Sequence, residues 1–155
     1  MLTARPLYSN VAFRESTVIC IERVVGTGAA FEIIDTPSNP YLATVGLRVE
    51  PASAGSGTTT RLEVELGSMP AAFFRAVEET VHRTLDQGLH GWEVRDCVVS
   101  ITHSGYWPRQ SHMHATFDKT MSSTAGDFRN LTPLVLMEAL RRAGVRGPAR
   151  MIHRI

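Results

Sequence analysis

Up to Leu66 this chain has nowhere to put a helix. Its apolar residues come in short runs that are rich in β-branched side chains or alternate with polar ones, and glycine, proline and asparagine interrupt them. Ser16 to Val25 (STVICIERVV) reads as a strand stopped by Gly26 and Gly28, and Ala30 to Ile34 as a second. The turn formers DTPSN, Asp35 to Asn39, precede Tyr41 to Glu50 (YLATVGLRVE), whose alternation argues for a half-buried strand. Pro51 to Gly57 turns the chain into Thr58 to Leu66, the cleanest alternation, with Leu62, Val64 and Leu66 on one face and Arg61, Glu63 and Glu65 on the other.

Helical spacing begins only after Ser68, an N-cap residue followed by Pro70. Phe74, Val77, Val81 and Leu85 make one buried stripe of a helix running to about Gln87, and Gly88 stops it. A strand, Glu93 to His103, follows. A second helix is predicted from near Thr132, with Pro133 in its first turn, to Arg141-Arg142 before Gly144. Met151 to Ile155 reads as a last short strand. The predicted fold class is α+β: a two-layer sandwich with a mainly antiparallel sheet of four or five strands and two helices on one face. If neighbouring elements run antiparallel, DTPSN, the turn before Ser68 and the loop after His103 share one end, while ASAGSG (Ala52 to Gly57) and Gly88 to Trp92 share the other. The first end gathers Asn39, Pro40, Tyr41, Tyr106, Trp107, Pro108 and Arg109, in loops of the kind that carry function.

A chain of 155 residues with 43% apolar content can bury one ordinary core. No apolar run of membrane-spanning length and no signal pattern is present, so the expected location is cytoplasmic, with no membrane partner. Cys20 and Cys97 give neither a disulfide framework nor a CxxC metal site. The net charge of +1 excludes a strongly basic coat, so any nucleic-acid contact must be local. All but one of the 16 basic residues are arginine, Lys119 being the exception; that would favour bidentate phosphate contacts, although a GC-rich coding sequence is the better explanation of the bias.

Five motifs occur in one order: VICIER (Val18 to Arg23), SNPYLATVGLRVEP (Ser38 to Pro51), GSG (Gly55 to Gly57), GLHGWEVRDC (Gly88 to Cys97) and STAGDFRNLTPLVL (Ser123 to Leu136) ahead of LRRAG. In this order they resemble domain IV of the tetracycline-resistance ribosomal protection proteins, GTPases similar to elongation factor G. The family pattern S-T-P-A-D-F-R followed by L-x-P is matched by Ser123, Thr124, Asp127, Phe128, Arg129, Leu131 and Pro133. The resemblance assigns 11–155 to domain IV and leaves 1–10 as a leader, a cloning remnant or the end of a preceding domain. It implies a fold like the second domain of a small-subunit ribosomal protein, with a left-handed β-α-β crossover. It also implies tip loops that contact 16S ribosomal RNA of the small subunit near the tetracycline site and help release the drug. The other domains of the parent would hold GTP and Mg2+; this chain has no GxxxxGKS or GxxxxGKT phosphate loop and is expected to be neither an enzyme nor a cofactor binder. Two features depart from the family: the loop between Tyr106 and Ser123 is longer than its short tip loop, and Leu42 stands where many members carry tryptophan.

Tyr106 and Trp107 at the tip suit stacking on unpaired bases, and Arg109 suits phosphate. The alternative is that the two rings merely pack the loop on the sheet. Trp92, at the opposite end, reads as a core plug or a contact with a neighbouring domain. His112, His114, Ser123 and Thr124 are further candidate RNA contacts, the last two doubling as helix caps. His103, His112, His114 and Asp118 are the one constellation that could assemble a three-ligand zinc site, but they follow no recognisable signature, and histidines in a polar loop are more often solvated; no metal is assigned. Two other readings stay open: domain IV of an elongation factor G paralogue with no resistance role, and a small zinc-dependent hydrolase built on the histidine loop.

Overall fold

A computed structural model of the chain describes residues 16–65, 67–107 and 123–154. The elements in order are β1 (Ser16–Val24), β2 (Gly28–Glu32), β3 (Ala43–Pro51), β4 (Thr59–Leu62), α1 (Ala71–Leu85), β5 (Val94–Arg95), β6 (Cys97–Tyr106), α2 (Ser123–Ala143) and β7 (Val145–Arg154). The α+β class is as predicted, but the strands split into two sheets, β2-β3-β6-β4 and β5-β1-β7. β1 pairs along its length with β7, from Ser16↔Arg154 to Val24↔Val145, so the expected short last strand is a full ten-residue partner. The link from β1 to β2 is taken up by the end of α2. Val25 N–H donates to Gly144 O (2.8 Å) and Gly26 N–H to Ala143 O (2.9 Å). A Cβ on Gly28 would overlap backbone atoms of Ala139 and Ala143, so only glycine lets β2 start this close to the helix.

The larger sheet carries both helices. Val45, Leu47 and Val49 of β3 and Val99 of β6 pack beneath Val77 and Val81 of α1 and Phe128, Leu136 and Leu140 of α2. β4 lies parallel to β6 with α1 in the connection, a β-α-β unit.

Several local predictions are corrected. Ser68 does not cap α1: the helix begins at Ala71 after Pro70, with no side-chain cap bond, and Ser68 Oγ instead lies 3.0 Å from Ser104 Oγ. The buried stripe of α1 includes Phe73 and Ala76, with Phe74 only half buried. The clean alternation of 58–66 yields a four-residue edge strand whose Leu62 is 40% exposed, because nothing pairs its outer side among the described residues; Leu66 lies outside them. α2 starts nine residues ahead of Thr132 and takes Pro133 into its interior. That proline removes one helical hydrogen bond. Burial of Ala125, Phe128 and Leu131 ahead of it offsets the loss and recruits the polar-looking STAGDFRN stretch into the helix. Among the described residues no helix is long and apolar enough to cross a membrane.

Candidate nucleic-acid interface

Strand register puts three connections at one end. Ala43, at the start of β3, pairs with Tyr106 at the end of β6, and β4 points the same way as β6, with Leu62 beside Ile101. The loop before β3, the segment before α1 and the departure from β6 therefore meet at a tip. Asn39 organises the first of these loops. Its amide donates to Ile33 O (3.1 Å) and Ala43 O (2.8 Å), and its Oδ1 accepts from Tyr41 N–H (2.9 Å). Only 6% exposed, it shapes the loop and has no donor left over for a ligand. Pro40 is exposed, and Tyr41 is half buried against the core.

The two tip aromatics part company. Tyr106 turns inward, edge-on to Phe73 (ring centroids 5.2 Å) and to Phe128 (6.4 Å). Trp107 continues the ladder, its N–H donating to Leu42 O (3.1 Å), so alternation sends its indole to the opposite face, 50% exposed. His103 shares that outer face, stacked on the exposed Phe31 (centroids 5.1 Å) over Gly46, where any Cβ would strike the imidazole. Thr102 Oγ1 lies 2.9 Å from His103 Nδ1.

At the opposite end two buried carboxylates fasten the turns. Glu22, fully buried in β1, accepts from Leu89 N–H (2.8 Å) at Oε1 and from His90 (2.7 Å) and Trp92 (3.0 Å) N–H at Oε2. Asp96, in left-handed backbone (φ 62°) between β5 and β6, accepts from Gly55 N–H (3.0 Å) and Gly57 N–H (2.8 Å) and pairs with Arg23 (3.1 Å). Burial pushes the Asp96 carboxyl up, but the two glycine amides and then Arg23 outweigh it and hold it below its ordinary value. VICIER thus meets GLHGW through Glu22, and GSG meets VRDC through Asp96. Sequence reasoning misses both staples; the signal for them is an acid inside an otherwise apolar strand and another next to a buried cysteine. Cys97 beside it is buried, which raises its thiol and keeps it protonated.

Of the other candidate residues, Thr124 is buried in the first turn of α2 and Ser123 begins that helix, so the segment read as lying before the helix is part of it. Pro108, Arg109, His112, His114 and Asp118 lie outside the described residues. Trp92 is 38% exposed at the end opposite the tip. The division of labour between the two aromatics is testable. Tyr106→Ala should cost about 2 kcal/mol of stability, measured by urea unfolding, because it opens the Phe73–Phe128 contact. Trp107→Ala should change stability by less than about 0.5 kcal/mol.

The family profile of elongation factor G domain IV matches residues 10–144. The chain belongs to that family. This domain IV is similar to the tetracycline resistance protein TetM of Streptomyces lividans, 47% identical over 133 residues, which are 85% of this chain and 19% of TetM. It is 43% identical over 141 residues to the oxytetracycline resistance protein of Streptomyces rimosus, covering 87% of this chain and 19% of that protein. The tetracycline resistance protein TetP of Clostridium perfringens is 39% identical over 134 residues, 86% of this chain and 19% of TetP. The chain thus spans about a fifth of the length of the curated relatives it matches. Among solved structures, a Thermus thermophilus protein shares the domain IV fold at a TM-score of 0.61 and 18% identity, over 83% of this chain and 18% of that one.

Proposed function

We propose that this domain IV is the ribosome-contacting part of a tetracycline-resistance translational GTPase, acting in the cytoplasm, with its tip directed at 16S ribosomal RNA of the small subunit near the drug site. The carrying observation is Trp107, a half-exposed indole at the strand end from which the long loop departs, with Tyr106 locked behind it. An unpaired base stacks on such a ring whatever its sequence, for about 1–3 kcal/mol. The near-neutral charge of +1 fits a contact of this local kind. Pro108, Arg109, His112 and His114 would extend it along the loop, and Pro40 and Tyr41, on the loop that Asn39 shapes, would form its second wall. GTP and Mg2+ would be held by another domain of the parent, and resistance relatives at 39–47% identity favour this reading over an elongation factor G paralogue.

The test grafts this chain in place of domain IV of Streptomyces lividans TetM and compares growth at graded tetracycline. Trp107→Ala in the graft should lower the tolerated concentration about tenfold, the loss of one stacked base. Undiminished tolerance would remove Trp107, and the tip with it, from the mechanism.

A further inference from the structure

β4 has no partner on its outer side among the described residues, and between it and α1 lies a groove of about 180 Å³. That is below the roughly 300–1,000 Å³ of sites for drug-sized molecules and suits one planar ring system. Leu62, Phe74 and Ile101 give it apolar walls; Glu78, Arg61 and Arg75 stand around it. Leu62 stays 40% exposed there, an apolar surface with nothing upon it among the described residues. Glu78 is held by Thr60, whose Oγ1 donates to Oε2 (2.6 Å), and Oε1 has no donor among the described residues. Arg75 makes no ion pair among the described residues, and Arg61 sits on the edge strand beside it.

We propose that this groove binds an unpaired guanine nucleotide of RNA. The ring lies against Leu62 and Phe74. Its adjacent N1–H and N2–H donors meet Glu78, and its phosphate meets Arg75. Uracil offers one ring N–H between two carbonyls and would set an acceptor against the same carboxylate. The charges select the occupant: the guanidinium of Arg75 calls for an anion, while Glu78 three residues on repels one, so the ligand must carry its negative charge apart from a donor-bearing face. A nucleotide does so; an acidic peptide added along β4 would bring carboxylates against Glu78. The groove lies beside the middle of β6, with Leu62 next to Ile101, on the face of the sheet that α1 covers. The inference rests on the RNA-contact reading and gives it a base preference.

The test is amide-shift mapping of the ¹⁵N-labelled 155-residue chain titrated with 5′-GMP and 5′-UMP. Shifts at Thr60, Arg61, Leu62, Phe74, Arg75 and Glu78 should saturate with GMP at about tenfold lower concentration than with UMP, the discrimination of one paired edge. Arg75→Ser should weaken GMP severalfold, and Glu78→Gln, which keeps the Thr60 bond, should abolish the preference. Equal response to both nucleotides, shifts confined to other surfaces, or occupation by an extended Glu-Leu peptide where GMP fails would each overturn the proposal. Trp107→Ala should leave GMP binding intact. Retained GMP binding with a graft indifferent to Trp107 therefore removes the tip and keeps the groove; the reverse pattern removes the groove alone.

Discussion

Glu22→Ala should lower the free energy of unfolding by about 3–5 kcal/mol in a urea titration, far more than a typical single substitution. Three backbone donors, Leu89, His90 and Trp92, point at its carboxylate from one turn. Each buried donor left unpaired costs about 1–3 kcal/mol, and water admitted to the vacated space recovers part of the sum. The turn has no ready substitute for the carboxylate. Gly88 at its start is in left-handed backbone (φ 49°), and a Cβ there would overlap Glu22 Oε1 and come within 2.6 Å of Trp92 O. Glu22→Gln is the informative companion. Its remaining oxygen can serve the His90 and Trp92 pair while its amide faces the N–H of Leu89, so about half the loss is expected. Against a total stability of about 5–15 kcal/mol, the alanine variant sits near the edge of folding. A loss under about 1 kcal/mol would mean that the turn holds itself.

What was legible in the sequence follows from which forces act locally. Strand pattern, turn chemistry and the Gly88 stop depend on a few neighbouring residues, and β1, β3, α1 and the common end of the tip loops emerged from them. The partition into two sheets depends on where the end of α2 lies against Gly28, a contact between distant parts of the chain that no period encodes. The start of α2 was hidden because capping residues and Pro133 mark a boundary by local rules, while burial of Phe128 and Leu131 extends the helix past it. At the tip, spacing brought Tyr106 and Trp107 together but could not say which faces out. That is decided by one step of β alternation, fixed by pairing with β3. The two staples tie together three of the five motifs, VICIER, GSG and GLHGWEVRDC, although they lie far apart in the chain. Glu22 and Asp96 fasten the end opposite the tip, and β3 and β6 carry that order to Trp107.

Asp96→Asn is expected to destabilise the domain by about 2–3 kcal/mol near neutral pH and by much less in strong acid. Asparagine tolerates the left-handed backbone at this position, so the exchange removes charge and one acceptor rather than introducing strain. Its oxygen, in the place of Oδ2, can serve Gly55 N–H and Arg23, but its amide then faces Gly57 N–H as donor to donor. The pH dependence follows from the direction of the Asp96 shift. Its folded-state value is held below the ordinary 3.8, so the stability it contributes is fully present above 3.8 and is lost as pH falls through the lower folded value. The asparagine side chain does not titrate, and the gap between the two proteins must therefore close in that acid range. Glu63, drawn down chiefly by its hydrogen bond with Arg48, weakens both proteins alike in acid and cancels in the difference. Urea unfolding of both from neutral pH to about 2 measures the gap directly. A gap that stays constant throughout would mean that the Asp96 charge contributes nothing, and that the ASAGSG loop is held by backbone contacts such as Ala52 N–H on Asp96 O (2.8 Å).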